Sequence, residues 1–163
     1  MSLNIQFEQK GWLASITLAK PPLNILDIDD LAELGEAVQK AEGASVLLLR
    51  SADDCRAFSA GNAIQDHTAE RAPEMLRRFH AVIAALLSTD AITVAEIRGD
   101  ALGGGCELVT ACDLVYATPN ARFGQPEIKV GCFPPVAAAL LPGRIGWTRA
   151  VEMITTGRIA SAE

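Results

Sequence analysis

Two loops hold the residues best suited to chemistry. Gly103-Gly104-Gly105 leads into the apolar stretch Cys106, Leu108, Val109. Backbone N–H groups at such a helix start have no side chain in front of them and favour an oxyanion or phosphate. Ala57-Phe58-Ser59-Ala60-Gly61 offers similar small-residue access. Two N–H groups converging from these loops would stabilise negative charge developing on a carbonyl oxygen. Glu107 lies inside the apolar stretch, where a carboxylate must be exposed, paired or poised for proton transfer, because burying it alone is costly. Glu127 follows the short extended stretch Ala121 to Phe123 within Gln125-Pro126-Glu127-Ile128, and a loop glutamate is usually solvated. A triple glycine serves equally well to let a helix pack closely on a strand, and pattern alone leaves both readings open.

The other reactive side chains are weaker candidates. His67 and His80 have the right chemistry for general bases, but neither stands beside a glycine loop, and His80 falls on the apolar side of a helical pattern, so both read as packing or surface residues. Ser59 lacks the Gly-x-Ser-x-Gly setting of a nucleophilic serine. A helix start could lower the pKa of Cys106, although packing is the simpler role. Asp113 reads as a turn or cap residue. Neither a dinucleotide fingerprint nor a Gly-Lys-Ser/Thr phosphate loop is present.

Several elements must position these loops. Alternating polarity over Leu3 to Phe7 and again over Trp12 to Leu18 predicts an antiparallel hairpin. Lys20 to Asn24 leaves the sheet at two prolines. Ile28, Leu31, Leu34 and Val38 mark a helix over 27–42, capped by Asp27. The run Val46-Leu47-Leu48-Leu49 predicts a strand buried on both faces. A loop over 51–66 leads to a helix near 73–87, with Leu76, Phe79, His80, Ile83 and Leu87 on its apolar face. Ile92 to Ile97 reads as a strand, Gly99 to Gly105 as a turn, Cys106 to Ala111 as a short helix and Leu114 to Ala117 as a strand. Prolines make the next stretch irregular until a helix over 147–156. Thr155 to Glu163 reads as a helix end, a turn and a new N-cap at Ser161, which predicts a continuation into further helices. The alternation indicates α/β architecture, and loops leaving the carboxyl ends of its strands gather at one edge, where ligands bind.

Bulk composition narrows the function. In 163 residues, half hydrophobic and 21% charged, one domain with one core is expected. A net charge of -6 argues against a nucleic-acid partner, and the Arg77-Arg78 pair is accounted for by a solvated helix face. No apolar stretch is long enough for a membrane span, and the N-terminus does not read as a signal peptide. Cys55, Cys106, Cys112 and Cys132 are irregularly spaced, which predicts free thiols in a reducing compartment, with the cytoplasm as default. With two histidines and no Cys-x-x-Cys, nothing predicts a zinc site.

Taken in order, Ala57-Phe58-Ser59-Ala60-Gly61, Gly99 through Leu108, Ala111-Cys112-Asp113-Leu114 and Ala121 through Glu127 resemble the enoyl-CoA hydratase/isomerase (crotonase) superfamily. The resemblance implies a spiral of β-β-α units, with 1–163 as an N-terminal catalytic core and C-terminal helices beyond it. It implies oxyanion-hole amides at Ala60 and Gly104, catalytic glutamates at Glu107 and Glu127, and a coenzyme A path along Phe58, Ser59, Ala60, Gly61, Asn62, Ala63, Gly103 and Gly104. It further implies a trimer or dimer of trimers, an acyl-CoA substrate and no metal or redox cofactor. Two departures are informative. Asn62-Ala63 replaces the usual Ala-Asp, so no acid is available there. Gly131-Cys132-Phe133-Pro134-Pro135-Val136 replaces a flexible glycine patch, which stiffens the acyl side and resembles the variant in hydratases of cyclohexa-1,5-diene-1-carbonyl-CoA. A straight-chain enoyl-CoA is the rival substrate.

Overall fold

A computed structural model describes residues 4–163. Strands β1 (Ile5–Lys10) and β2 (Leu13–Leu18) form the expected hairpin, with Lys10 opposite Leu13. Leu3, where the alternation begins, lies outside the described residues. β3 (Ile25–Leu26) precedes α1 (Ile28–Lys40), whose N-cap Asp27 accepts from the Asp29 and Asp30 amides in a capping box with Asp30. Next come β4 (Val46–Ser51), β5 (Ala57–Ser59), β6 (Gly61–Asn62) and α2 (Ala72–Ser88). They are followed by β7 (Ile92–Ile97), β8 (Asp100–Leu102) and α3 (Gly104–Ala111). The chain continues with β9 (Leu114–Ala117), β10 (Arg122–Gly124), α4 (Pro135–Ile145), α5 (Trp147–Thr156) and β11 (Ile159–Ser161).

The order of strands reveals the spiral. One sheet runs β1-β2-β4-β7-β9 and a second runs β11-β10-β8-β5. Each turn lays a strand in the first sheet, lays the next in the second, and then enters a helix: β4-β5-α2, β7-β8-α3, β9-β10-α4. Successive turns pair in parallel in both sheets, as β4 with β7 and β5 with β8 show. The architecture is therefore α/β with repeated β-β-α units. Repetition along one direction brings the 57–63 and 99–107 loops to the same edge.

α1 and α2 cover the first sheet, packing Leu31, Leu34, Val38, Met75, Phe79 and Val82 against Ile16, Leu18, Leu47 and Leu49. Several details differ from the sequence expectation. β4 is fully buried on one face only, with Val46 and Leu48 half-buried on the other. α2 turns Met75, Phe79, Val82, Ile83 and Leu86 inward and leaves Leu76, Leu87 and His80 exposed, because apolar residues at three- and four-residue spacing fit two neighbouring faces. The 51–66 loop contains two short strands and a 3₁₀ turn. The irregular stretch contains α4, in which Pro135 occupies the first turn, where a missing N–H loses no bond. Ser161 ends β11, which pairs antiparallel with β10; it does not cap a helix within the described residues. No helix among the described residues is long and apolar enough to cross a membrane.

Candidate active site

The first loop is anchored from below. Asn24, wholly buried, donates from Nδ2 to the carbonyls of Ala57 and Phe58, while the Ser59 hydroxyl donates to the Asn24 carbonyl at 2.8 Å and accepts from the Gly61 N–H. Phe58 belongs to the main core. These two residues of the expected coenzyme path therefore support the loop from beneath and present no free surface. The Ala60 N–H donates to the Leu23 carbonyl at 2.9 Å and the Ala63 N–H to that of Leu26 at 2.8 Å.

In the second loop each glycine has its own reason. Gly103 has a φ of +54°, and a Cβ there would come within 2.8 Å of Glu127 Oε1. Gly105 could not be otherwise: its Cβ would lie 2.3 Å from the Ser59 carbonyl oxygen, so the close-packing reading of the glycines holds at this position. Gly104 opens α3, so its N–H has no intrahelical partner, and no described hydrogen bond uses it. The expected turn over 99–105 is thus a short strand flanked by two positive-φ glycines, Gly99 and Gly103, followed by the first turn of a helix. Gly61 and Gly104 bring the two loops together, a Cβ on Gly61 falling 3.1 Å from the Gly104 nitrogen. Asn62 lies against Gly104, and Ala63 is buried beneath the loop.

Glu107 is only 3% exposed, and its Oε1 accepts from the Ala137 N–H at 2.8 Å. Pro134, at the N-cap of α4, has no side chain to cap that helix, and Glu107 does so from across the gap. Arg144 reciprocates by donating to the Thr110 and Cys112 carbonyls at the end of α3. The two helices thus cap each other. Burial pushes the Glu107 carboxyl up to about 7; the Ala137 N–H opposes this and the nearby Glu127 charge adds to it. Glu127 is likewise raised, by burial first, with its own backbone N–H and His67 acting in the opposite direction. Gln125, wholly buried, can donate its amide to both Glu127 oxygens at 3.2 Å.

The structure therefore brings Glu107, Glu127, Gly103 and Gly104 together. Gln125, Asp66 and Ala137 also belong to this centre and were not singled out from the sequence, and His67, read there as a packing or surface residue, joins them. Gln125 is a polar residue two before Glu127 in an otherwise tight strand end, and that was its only signal. His67 reaches the neighbourhood of Glu127 because the 3₁₀ turn folds it back; its Nδ1 contacts the Ala63 carbonyl at 2.9 Å. Asp66 holds that turn, accepting from the Ile28 N–H and from Arg71. Ala137 meets Glu107 through a helix that sequence pattern missed. Cys106 goes the other way from its helix-start expectation, since burial pushes its thiol up to about 12. Asp113 accepts from the Thr93 N–H and hydroxyl, tying β9 to β7, and these bonds hold its carboxyl below the usual range.

The model of the family described as enoyl-CoA hydratase/isomerase matches residues 8–163. The chain is 35% identical over 160 residues to cyclohexa-1,5-dienecarbonyl-CoA hydratase of Thauera aromatica, covering 96% of this chain and 61% of that protein. A solved structure of DspI from Pseudomonas aeruginosa superposes with a TM-score of 0.91 at 31% identity, over 98% of this chain and 63% of the other. An enoyl-CoA hydratase subunit I from Geobacillus kaustophilus gives 0.86 at 36% identity, again over 98% and 63%. The chain thus spans less than two thirds of the length of these relatives.

Proposed function

The chain belongs to the enoyl-CoA hydratase/isomerase family, and from that premise we propose that the whole protein adds water to an unsaturated acyl-CoA thioester at the Glu107–Glu127 centre. The observation that carries this reading is the convergence of a buried carboxylate raised to about 7, Glu107, and a half-buried one, Glu127, beside the unpaired Gly104 N–H. Near pH 7 the Glu107 carboxyl holds and releases a proton readily. The Gly104 N–H polarises the thioester carbonyl, which makes the β-carbon electrophilic. Ala60 joins as second donor by sharing the N–H it now directs at Leu23. One glutamate takes a proton from water as oxygen bonds to the β-carbon, and the pair returns a proton to the α-carbon. The two titrate together, so the roles belong to the pair.

For the acyl group we favour a cyclic conjugated dienoyl-CoA, cyclohexa-1,5-diene-1-carbonyl-CoA. Two observations support it: the likeness to the Thauera hydratase of that substrate, and the rigid Pro134-Pro135 entry to α4, which carries buried Val136 beside Glu107. The likeness to the Geobacillus enoyl-CoA hydratase subunit favours a straight-chain enoyl-CoA as the second reading. Coenzyme A contact along 60–63 and 103–104, a C-terminal helical region, a trimeric or hexameric assembly and a cytoplasmic location belong to the same proposal.

The test is a mass-spectrometric assay on the full-length protein offering cyclohexa-1,5-diene-1-carbonyl-CoA beside crotonyl-CoA. Gain of one water on the cyclic diene, lost in Glu107→Gln and Glu127→Gln, supports the first reading. Preference for crotonyl-CoA moves the substrate to the second, and no glutamate-dependent water addition to either defeats both.

A further inference from the structure

Asn62 is the polar side chain in this centre that the fold leaves unsatisfied. Its Oδ1 is buried and has no hydrogen-bond partner, and its Nδ2 makes only a 3.6 Å contact with Met75 Sδ. Orphaned buried acceptors destabilise a protein, by about 1–3 kcal/mol, so one that persists between the two glycine loops points to a ligand that satisfies it. The location is specific. A Cβ on Gly104 would lie 3.1 Å from Nδ2 and 3.1 Å from Oδ1, so the amide lies against the residue whose N–H faces the thioester oxygen in the reading above. Glu107 follows three residues later on α3, near the same face. Met75, the other neighbour of Asn62, belongs to α2 and to the apolar core, so the amide is backed by apolar side chains on one side and faces the Gly104 backbone on the other.

The chemistry of water addition leaves one donor to be matched there. Water carries two protons: one passes to the glutamate pair as the oxygen bonds to the β-carbon, and the other stays on the new hydroxyl. We propose that Asn62 Oδ1 accepts the hydrogen bond of that acyl hydroxyl and is a specificity-determining residue for hydroxyacyl-CoA thioesters. The inference rests on the hydratase reading.

The test is direct titration of 3-hydroxybutyryl-CoA and butyryl-CoA into the full-length parent and Asn62→Ala, by calorimetry. The expected result is a parent preference for the hydroxy compound that falls about fivefold to tenfold in Asn62→Ala, as loss of one neutral hydrogen bond predicts, with butyryl-CoA binding weakened by a smaller factor. An unchanged preference overturns the assignment. So does equal weakening of both ligands, which would transfer the contact to pantetheine. The melting temperature of Asn62→Ala should not fall, because the oxygen removed has no partner in the free protein; a marked drop would show the side chain bound within the fold and overturn the assignment as well. Water addition by the parent separates the two levels. If it is present while the preference is unchanged, only the Asn62 role fails; if it is absent, the hydratase reading fails and the Asn62 role with it.

Discussion

The segment that carries Glu107 and the segment that carries Glu127 hold their carboxylates by opposite means. Glu107 stands on a regular helix pressed against β5 at Gly105, and its oxygen is built into the start of α4, whose Arg144 returns the contact. Glu127 sits in a 3₁₀ turn, Pro126–Val130, which has no fully buried residue, and is oriented by Gln125 and by the bare Cα of Gly103. One carboxyl is part of the frame and the other rests on it. A catalytic pair needs both properties, since a fixed group sets the geometry and a less constrained one can follow the proton.

The largest effect expected from disturbing this contrast is at Gly105. Gly105→Ala drives a Cβ into the Ser59 carbonyl and should destabilise by about 3 kcal/mol or more, measured by chemical denaturation. Gly103→Ala, pressing on a side-chain carboxylate instead of backbone, should destabilise less and mainly displace Glu127.

Next is the pH dependence of stability. The Glu107 pKa is raised on folding from 4.5 to about 7, so its stabilising contribution is complete below pH 4.5 and is lost as pH rises through 7. Glu107→Gln keeps the acceptor for Ala137 and cannot ionise. Its stability relative to the parent should therefore rise between pH 5 and pH 8, by at most roughly 3 kcal/mol. A difference that stays flat over that window in melts would break the assignment of a raised Glu107.

Smaller again is the loss of the cap itself. At pH 5, where Glu107 is protonated and no charge is removed, Glu107→Ala should destabilise by about 1–3 kcal/mol through an unsatisfied Ala137 N–H. Hydrogen exchange at Ala137 should accelerate in Glu107→Ala and remain slow in Glu127→Ala. Acceleration in both would erase the distinction between frame and passenger. The least effect is expected from Gln125→Met, which removes donors to Glu127 and should raise its pKa by a fraction of a unit, visible in an NMR titration of that carboxyl.

Local signals made much of this molecule legible. Period-two alternation located the hairpin, helical spacing with Asp27 located α1, and the apolar runs located β4 and β7, because such patterns need no partner to be recognised. The glycine loops and both glutamates stood out for the same reason. α4 was concealed by prolines that read as breakers although one of them starts the helix, and β11 by a Thr-Gly-Arg turn that resembles the approach to an N-cap. By itself, then, the sequence determined the order of elements, the residue types at the centre and the likeness to a family. Tertiary structure alone decided that Gly105 serves packing while Gly103 admits Glu127, that Glu107 caps α4, that Ala60 is engaged by Leu23, and that Asn62 is left unsatisfied. Each of these is a relation between backbone atoms or side chains distant in the chain, set by how successive turns of the spiral stack, and no local pattern encodes such a distance.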